Sequence, residues 1–138
     1  MDAEQLRIKS LIEPLFADLD GGPFTVYLYG SRANGYARPD SDYDFALIAP
    51  AALEHAKLDG IRDSLGDLLF CDVDCVDMRK IPLTLAAQVL ESGIVLLEGD
   101  EKERARLETR LLSMYAYLNE ERRGILEDKV ERGSIYAR

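Results

Sequence analysis

Apolar side chains at Ile8, Leu11, Ile12, Leu15, Phe16 and Leu19 recur at steps of three and four, which predicts a first helix over residues 4–19. Pro14 falls inside it and predicts a kink or a break into two shorter helices, because an interior proline lacks the amide the helix needs. Gly21, Gly22 and Pro23 end the segment. Residues 24–29 are rich in aromatic and β-branched side chains and predict a strand, followed by a loop or short helix over 30–41 and a second strand over 42–48. Leu53, Ala56, Ile61 and Leu65 place a second helix over 52–65. Residues 69–77 predict a third strand, alternating strictly in the second half. A helix over 83–91 begins at Pro82, and Gly93 separates it from a short strand over 94–97. The longest helical signal runs from 100 to about 123, with Asp100 and Glu103 at capping-box spacing. Its apolar stripe is Leu107, Leu111, Met114 and Leu118, which reads as core packing first and as a partner interface second, with Tyr115 and Tyr117 able to extend an interface. The charged tail, 125–138, is expected to fray.

Strands alternating with helices predict one layered α/β (or α+β) domain over residues 1–138, with its core at about 10–98 and a helical extension at about 100–132. A chain of 138 residues can bury roughly two thirds of the surface it exposes when unfolded. Its 17 basic and 26 acidic residues give a formal charge of -9, which argues against direct nucleic-acid binding and is compatible with a basic protein partner. Cys71 and Cys75 are too few for a disulfide framework or a structural zinc site and are expected as buried thiols of one strand. The sequence shows no signal-peptide run and no membrane-spanning stretch, so a reducing cytoplasm is the expected compartment. His55 reads as a surface residue.

The chemistry concentrates in two acidic strands. Asp42 and Asp44, two apart, point to one face, while Tyr43 and Phe45 point to the other. Two like charges held together raise each other's cost, and a shared hard cation such as Mg²⁺ removes it. On the third strand Asp72 and Asp74 share a face and Asp77 takes the opposite one, where a turn or capping role is expected. Asp74, deeper among apolar neighbours, is the expected third acid, with Asp72 the alternative. Three convergent carboxylates can support two cations about 3.5–4 Å apart, an arrangement suited to in-line attack on a nucleotide α-phosphorus. Asp42, Asp44 and Asp74 are thus the expected catalytic and metal residues. Gly30 permits a tight turn and close phosphate approach, and the Ser31 hydroxyl can donate to a phosphate oxygen. Arg32 is a further candidate for phosphate contact, or points to solvent.

Gly30 and Ser31, ten intervening residues, then Asp42, Tyr43 and Asp44 resemble the signature of the polymerase-β-like nucleotidyltransferases. The stretch from Val73 to Asp77 is similar to the family's third-acid strand, and the likeness, over about 24–98, points to the minimal nucleotidyltransferase (MNT) branch. That resemblance implies a small mixed sheet flanked by helices, two bound Mg²⁺ ions and ATP as the donor. Some MNT proteins are antitoxins paired with HEPN ribonuclease toxins, and transfer AMP to a toxin tyrosine. The resemblance implies such an adenylyltransferase antitoxin here. The alternatives are transfer to a small hydroxyl compound or an RNA end, and a binding-only antitoxin or adaptor without catalysis.

Overall fold

The computed structural model describes residues 1–131, with side chains to residue 128. The elements are α1 (Ala3–Asp18), β1 (Thr25–Tyr29), α2 (Ser31–Asn34), β2 (Tyr43–Ile48), α3 (His55–Leu69), β3 (Val73–Asp77), α4 (Leu83–Ser92), β4 (Ile94–Leu97) and α5 (Glu101–Glu131).

Four strands form one mixed sheet in the order β3-β2-β1-β4. β1 is antiparallel to β2 and β4, whereas β2 and β3 are parallel and joined by α3. Strand alternation divides the apolar side chains between two layers. On one face Val26, Leu28, Phe45, Leu47, Cys75 and Leu96 pack with Ile8, Ile12 and Phe16 of α1 and with Ile61 and Leu65 of α3. On the other, Tyr27, Tyr29, Ala46, Ile48 and Met78 meet Ala86 and Val89 of α4 and Leu107 and Leu111 of α5. The expected α/β architecture, a small sheet flanked by helices with a long last helix, is what the chain adopts.

Several boundaries differ from the sequence expectation. α1 is unbroken through Pro14, whose ring lies on the exposed side of the helix. Its start is fixed by a reciprocal pair: Gln5 N donates to Asp2 Oδ1 at 2.8 Å and Asp2 N donates to Gln5 Oε1 at 3.0 Å. α3 begins and ends later than expected, and β3 begins only at Val73. Phe70 ends α3 in the left-handed conformation (φ 55°) with its ring exposed, so the apolar run around it is divided between helix and turn. Cys71 therefore lies outside the strand and is only half-buried; Cys75 is buried as expected, and both thiols are free.

α5 continues to Glu131, through the first part of the tail expected to fray, and its composition of Glu, Arg, Leu and Lys suits a helix. The rest of that tail, 132–138, lies outside the described residues. Asp100 caps the helix, with Oδ1 accepting from the amides of Lys102 (3.0 Å) and Glu103 (3.1 Å). The Glu103 carboxylate pairs with Arg79 at 2.6 Å. Gly99 N donates to Thr25 Oγ1 (3.1 Å) and Tyr27 OH donates to Glu108, so α5 starts beside the beginning of β1 and crosses the sheet toward its end.

Candidate active site

The end of β1 and the starts of β2 and β3 meet at one edge of the sheet. Tyr29 stands opposite Asp44, and Asp44 opposite Asp74, so all three side chains share the α4/α5 face. Asp42 has the same parity as Asp44, one residue before β2 begins. Asp42 and Asp74 are exposed, while Asp44 is half-buried between them. The Asp44 carboxyl is held above the usual carboxylate range, first by burial and then by the charges of Asp74 and Asp42. Tyr29 lies beside the same acids, and its phenol is pushed up to about 12 by burial, then by Asp74 and Asp44. It therefore stays protonated at neutral pH. From the sequence Tyr29 is only a strand residue, and its place one residue before Gly30 is the available signal.

Gly30 turns the chain from β1 into α2 at φ 73° and ψ −156°, backbone that a side chain rarely tolerates. A Cβ there would overlap Asp44 Oδ2 and stand 3.3 Å from its Cγ. Gly30 and the Asp44 carboxylate thus occupy adjoining space, and Ser31 follows as the first residue of α2. Ala33 N donates to Gly30 O at 3.1 Å, closing the turn.

Arg32 is turned onto α1 and its own loop rather than into solvent. Its side chain is 9% exposed and pairs with Glu4 of α1 at 2.7 Å. The guanidinium also donates to Ser41 O (2.8 Å) and Pro39 O (3.2 Å), and its centre lies 4.3 Å from the centroid of the Tyr43 ring. Tyr43 OH donates to the same Glu4 oxygen at 3.0 Å. A guanidinium engaged on so many sides holds the loop between Gly30 and Asp42 to α1.

Asp72, Asp74 and Asp77 separate by environment. Asp74 acts electrostatically on Asp44, Tyr29 and Cys75, whereas Asp72 acts on Cys71. Asp72 is exposed, and its carbonyl accepts from Tyr43 N at 3.1 Å. Both line an open cleft of about 810 Å³ with Asp42, Arg62 and Asp67. Asp77 is 1% exposed; Oδ2 accepts from Leu53 N (2.8 Å) and Oδ1 from Arg79 N (2.9 Å), the turn role expected of it. His55 is a surface side chain beside Asp59.

Among the described residues, no group of three Asp, Glu, His or Cys side chains is gathered tightly enough to cage an ion as it stands. Asp42, Asp44 and Asp74 instead present an open face of mutually repelling carboxylates. The raised Asp44 carboxyl, with Gly30 leaving room beside it, fits a hard divalent cation that would relieve that repulsion while keeping positions open for phosphate.

Residues 15–102 match the family model described as polymerase beta, nucleotidyltransferase. The protein adenylyltransferase MntA of Shewanella oneidensis is 32% identical over 103 residues, which are 75% of this chain and 73% of that protein. A toxin–antitoxin crystal structure with AMP-PNP contains a chain that superposes with a TM-score of 0.73 at 30% identity, covering 87% of this chain and 96% of its own. A complex of a tri-AMPylated Shewanella oneidensis HEPN toxin with an MNT antitoxin gives a TM-score of 0.71 at 28% identity, covering 90% of this chain and 97% of the other. The fold, the paired acids beside the glycine turn and these likenesses agree: the chain belongs to the polymerase beta nucleotidyltransferase family and stands with its MntA-type minimal members.

Proposed function

We propose that this chain is an Mg²⁺-dependent protein adenylyltransferase that moves AMP from ATP to a tyrosine hydroxyl of a cognate HEPN ribonuclease toxin, and so neutralises it in the cytoplasm. The observation that carries the reading is the pairing of Asp44 with Asp74 on adjacent parallel strands, next to the Gly30 turn. The named activity of the Shewanella relative and the toxin complexes of the solved ones support the choice of reaction and partner.

Asp42 and Asp44 would hold the cations with Asp74. Divalent cations bound there would neutralise charge on the triphosphate and would make the acceptor hydroxyl more acidic. Gly30 admits the phosphate chain against the backbone, and Ser31 donates to a β- or γ-phosphate oxygen. Asp74 accepts the proton of the attacking tyrosine hydroxyl. The phenolic oxygen bonds to the α-phosphorus, the bond to pyrophosphate breaks, and AMP stays on the protein. Positioning and charge stabilisation provide most of the acceleration.

The test is intact-mass analysis of the purified cognate HEPN protein after incubation with ATP, Mg²⁺ and this chain. Added AMP groups that map to tyrosine, and that disappear with Asp42→Asn or Asp44→Asn, are the expected result. An unchanged mass beside an active control enzyme refutes it.

A further inference from the structure

One stripe of α5 has two fates. Leu107, Leu111, Met114, Leu118 and Ile125 recur at steps of four, three, four and seven, which places them on one side of the helix. Leu107 and Leu111 are buried against the sheet layer that holds Tyr27 and Tyr29. Beyond them the stripe comes into the open: Met114 is 50% exposed, Ile125 55% and the flanking Leu126 61%, with Leu118 half-buried. α4 is the element against which α5 packs most closely.

The direction of the helix gives this face its meaning. α4 ends at Ser92, just before β4 starts at Ile94 opposite Leu28, near the Tyr29 end of β1. α5 begins at the other end, beside Thr25, and passes Tyr27 at Glu108. At 1.5 Å per residue, the stretch from Leu111 to Glu131 continues for about 30 Å past the buried half. From Thr25 past Tyr27 the helix runs toward the end of β1 that leads into Gly30.

We infer that the distal half of α5 is the docking surface for the acceptor protein, which lays an apolar groove over Met114, Leu118 and Ile125 and so brings its hydroxyl to the acidic site. This rests on the proposed function. The occupant is a protein with a basic rim around that groove, because residues 119–131 hold five acids and three bases and the whole chain carries -9. A second copy of the chain would bring the same negative charge to the same surface. Two solved relatives matched over 96% and 97% of their own length are chains of toxin–antitoxin structures, so a partner protein in contact with such a domain has precedent.

The test measures binding apart from chemistry. Titration calorimetry with the purified cognate HEPN protein, without ATP, compares wild type, Met114→Glu/Ile125→Glu and Leu112→Glu. Leu112 is exposed but lies on a different side of the helix and serves as the control. The double variant is expected to weaken binding at least about tenfold, while Leu112→Glu binds as wild type and all three bind ATP with Mg²⁺ equally. Undiminished binding by the double variant overturns the inference. So does a wild-type homodimer in sedimentation that Met114→Glu/Ile125→Glu splits, since a second copy would then own the face. A stripe-dependent complex in which wild type transfers no AMP would uphold the surface and sink the proposed reaction, so the two failures are distinguishable.

Discussion

Gly30 and Asp44 occupy adjoining space at the sheet edge, and a single methyl on the glycine would overlap the carboxylate. Two costs then fall on Gly30→Ala. The φ of 73° becomes strained, at about 1–3 kcal/mol, and Asp44 must rotate out of its present position. Because the displaced group is the one placed between Asp42 and Asp74, activity should suffer more than stability. A fall in kcat/KM for AMP transfer of about 10²-fold or more is expected, with a cooperative thermal transition retained. Near wild-type turnover by Gly30→Ala would mean that Asp44 tolerates displacement and that the turn is not fitted to it.

Arg32 makes the opposite prediction. Its contacts are with Glu4, Pro39, Ser41 and the Tyr43 ring, so Arg32→Ala should be a stability variant. Losing the hydrogen bonds and leaving the loop carbonyls unpaired should cost about 1–3 kcal/mol in urea unfolding. Arg32→Lys should recover only part of it, because an ammonium neither forks nor stacks as the guanidinium does. A raised KM for ATP with unchanged unfolding would restore the phosphate role instead.

The same two residues show what a sequence can carry. Gly30, Asp42 and Asp44 are close along the chain, and period-2 alternation is enough to put both acids on one face. Asp74 follows from the same rule, although only the parallel register shows it to be the direct neighbour of Asp44. The partner of Arg32 is 28 residues away on α1, and no local rule finds it. The α3–β3 boundary falls later than periodicity places it because Leu68, Leu69, Phe70 and Cys71 suit a buried helix end as well as a strand, and the left-handed Phe70 has none of glycine's signal. For α5 periodicity finds the stripe, but the core role holds only for Leu107 and Leu111, since Met114 is 50% exposed and, among the described residues, no strand residue packs against the stripe beyond Leu111 in the buried layer.

Alkaline pH should loosen the fold through its buried protonated groups, Cys75 and Tyr29 among them. Burial, then Asp74, pushes the Cys75 thiol up to about 12, and Tyr29 reaches about 12 as well. Each folded-state value lies above the ordinary one of 9.0 for the thiol and 10.0 for the phenol. The folded chain therefore keeps protons that the unfolded chain gives up, and stability falls as pH rises from about 9 to 12. Thermal melts at stepped pH should show this decline, and it should be shallower for Cys75→Ala. Native-state alkylation at pH 8 should spare Cys75. Rapid modification of Cys75 in the folded protein would contradict its burial.

Asp44→Asn separates a stored repulsion from a structural role. The Asp44 carboxyl is raised by burial, Asp74 and Asp42, so its negative charge costs stability in the metal-free protein. The folded state holds the proton more tightly than the unfolded state, so stability is lost as pH rises through the raised value. Asp44→Asn should consequently melt higher than wild type at pH 7 without divalent ions, and the gap should shrink below the ordinary carboxylate range. Adding ATP and Mg²⁺ should reverse the order, since ligand binding stabilises the wild type by about 2.7 kcal/mol at a hundredfold excess over Kd and the variant by less. Transfer should fall by about 10²-fold or more in the same variant. If Asp44→Asn instead melts lower in EDTA, the carboxylate supports the fold, and the account of three acids waiting on a cation fails at its central residue.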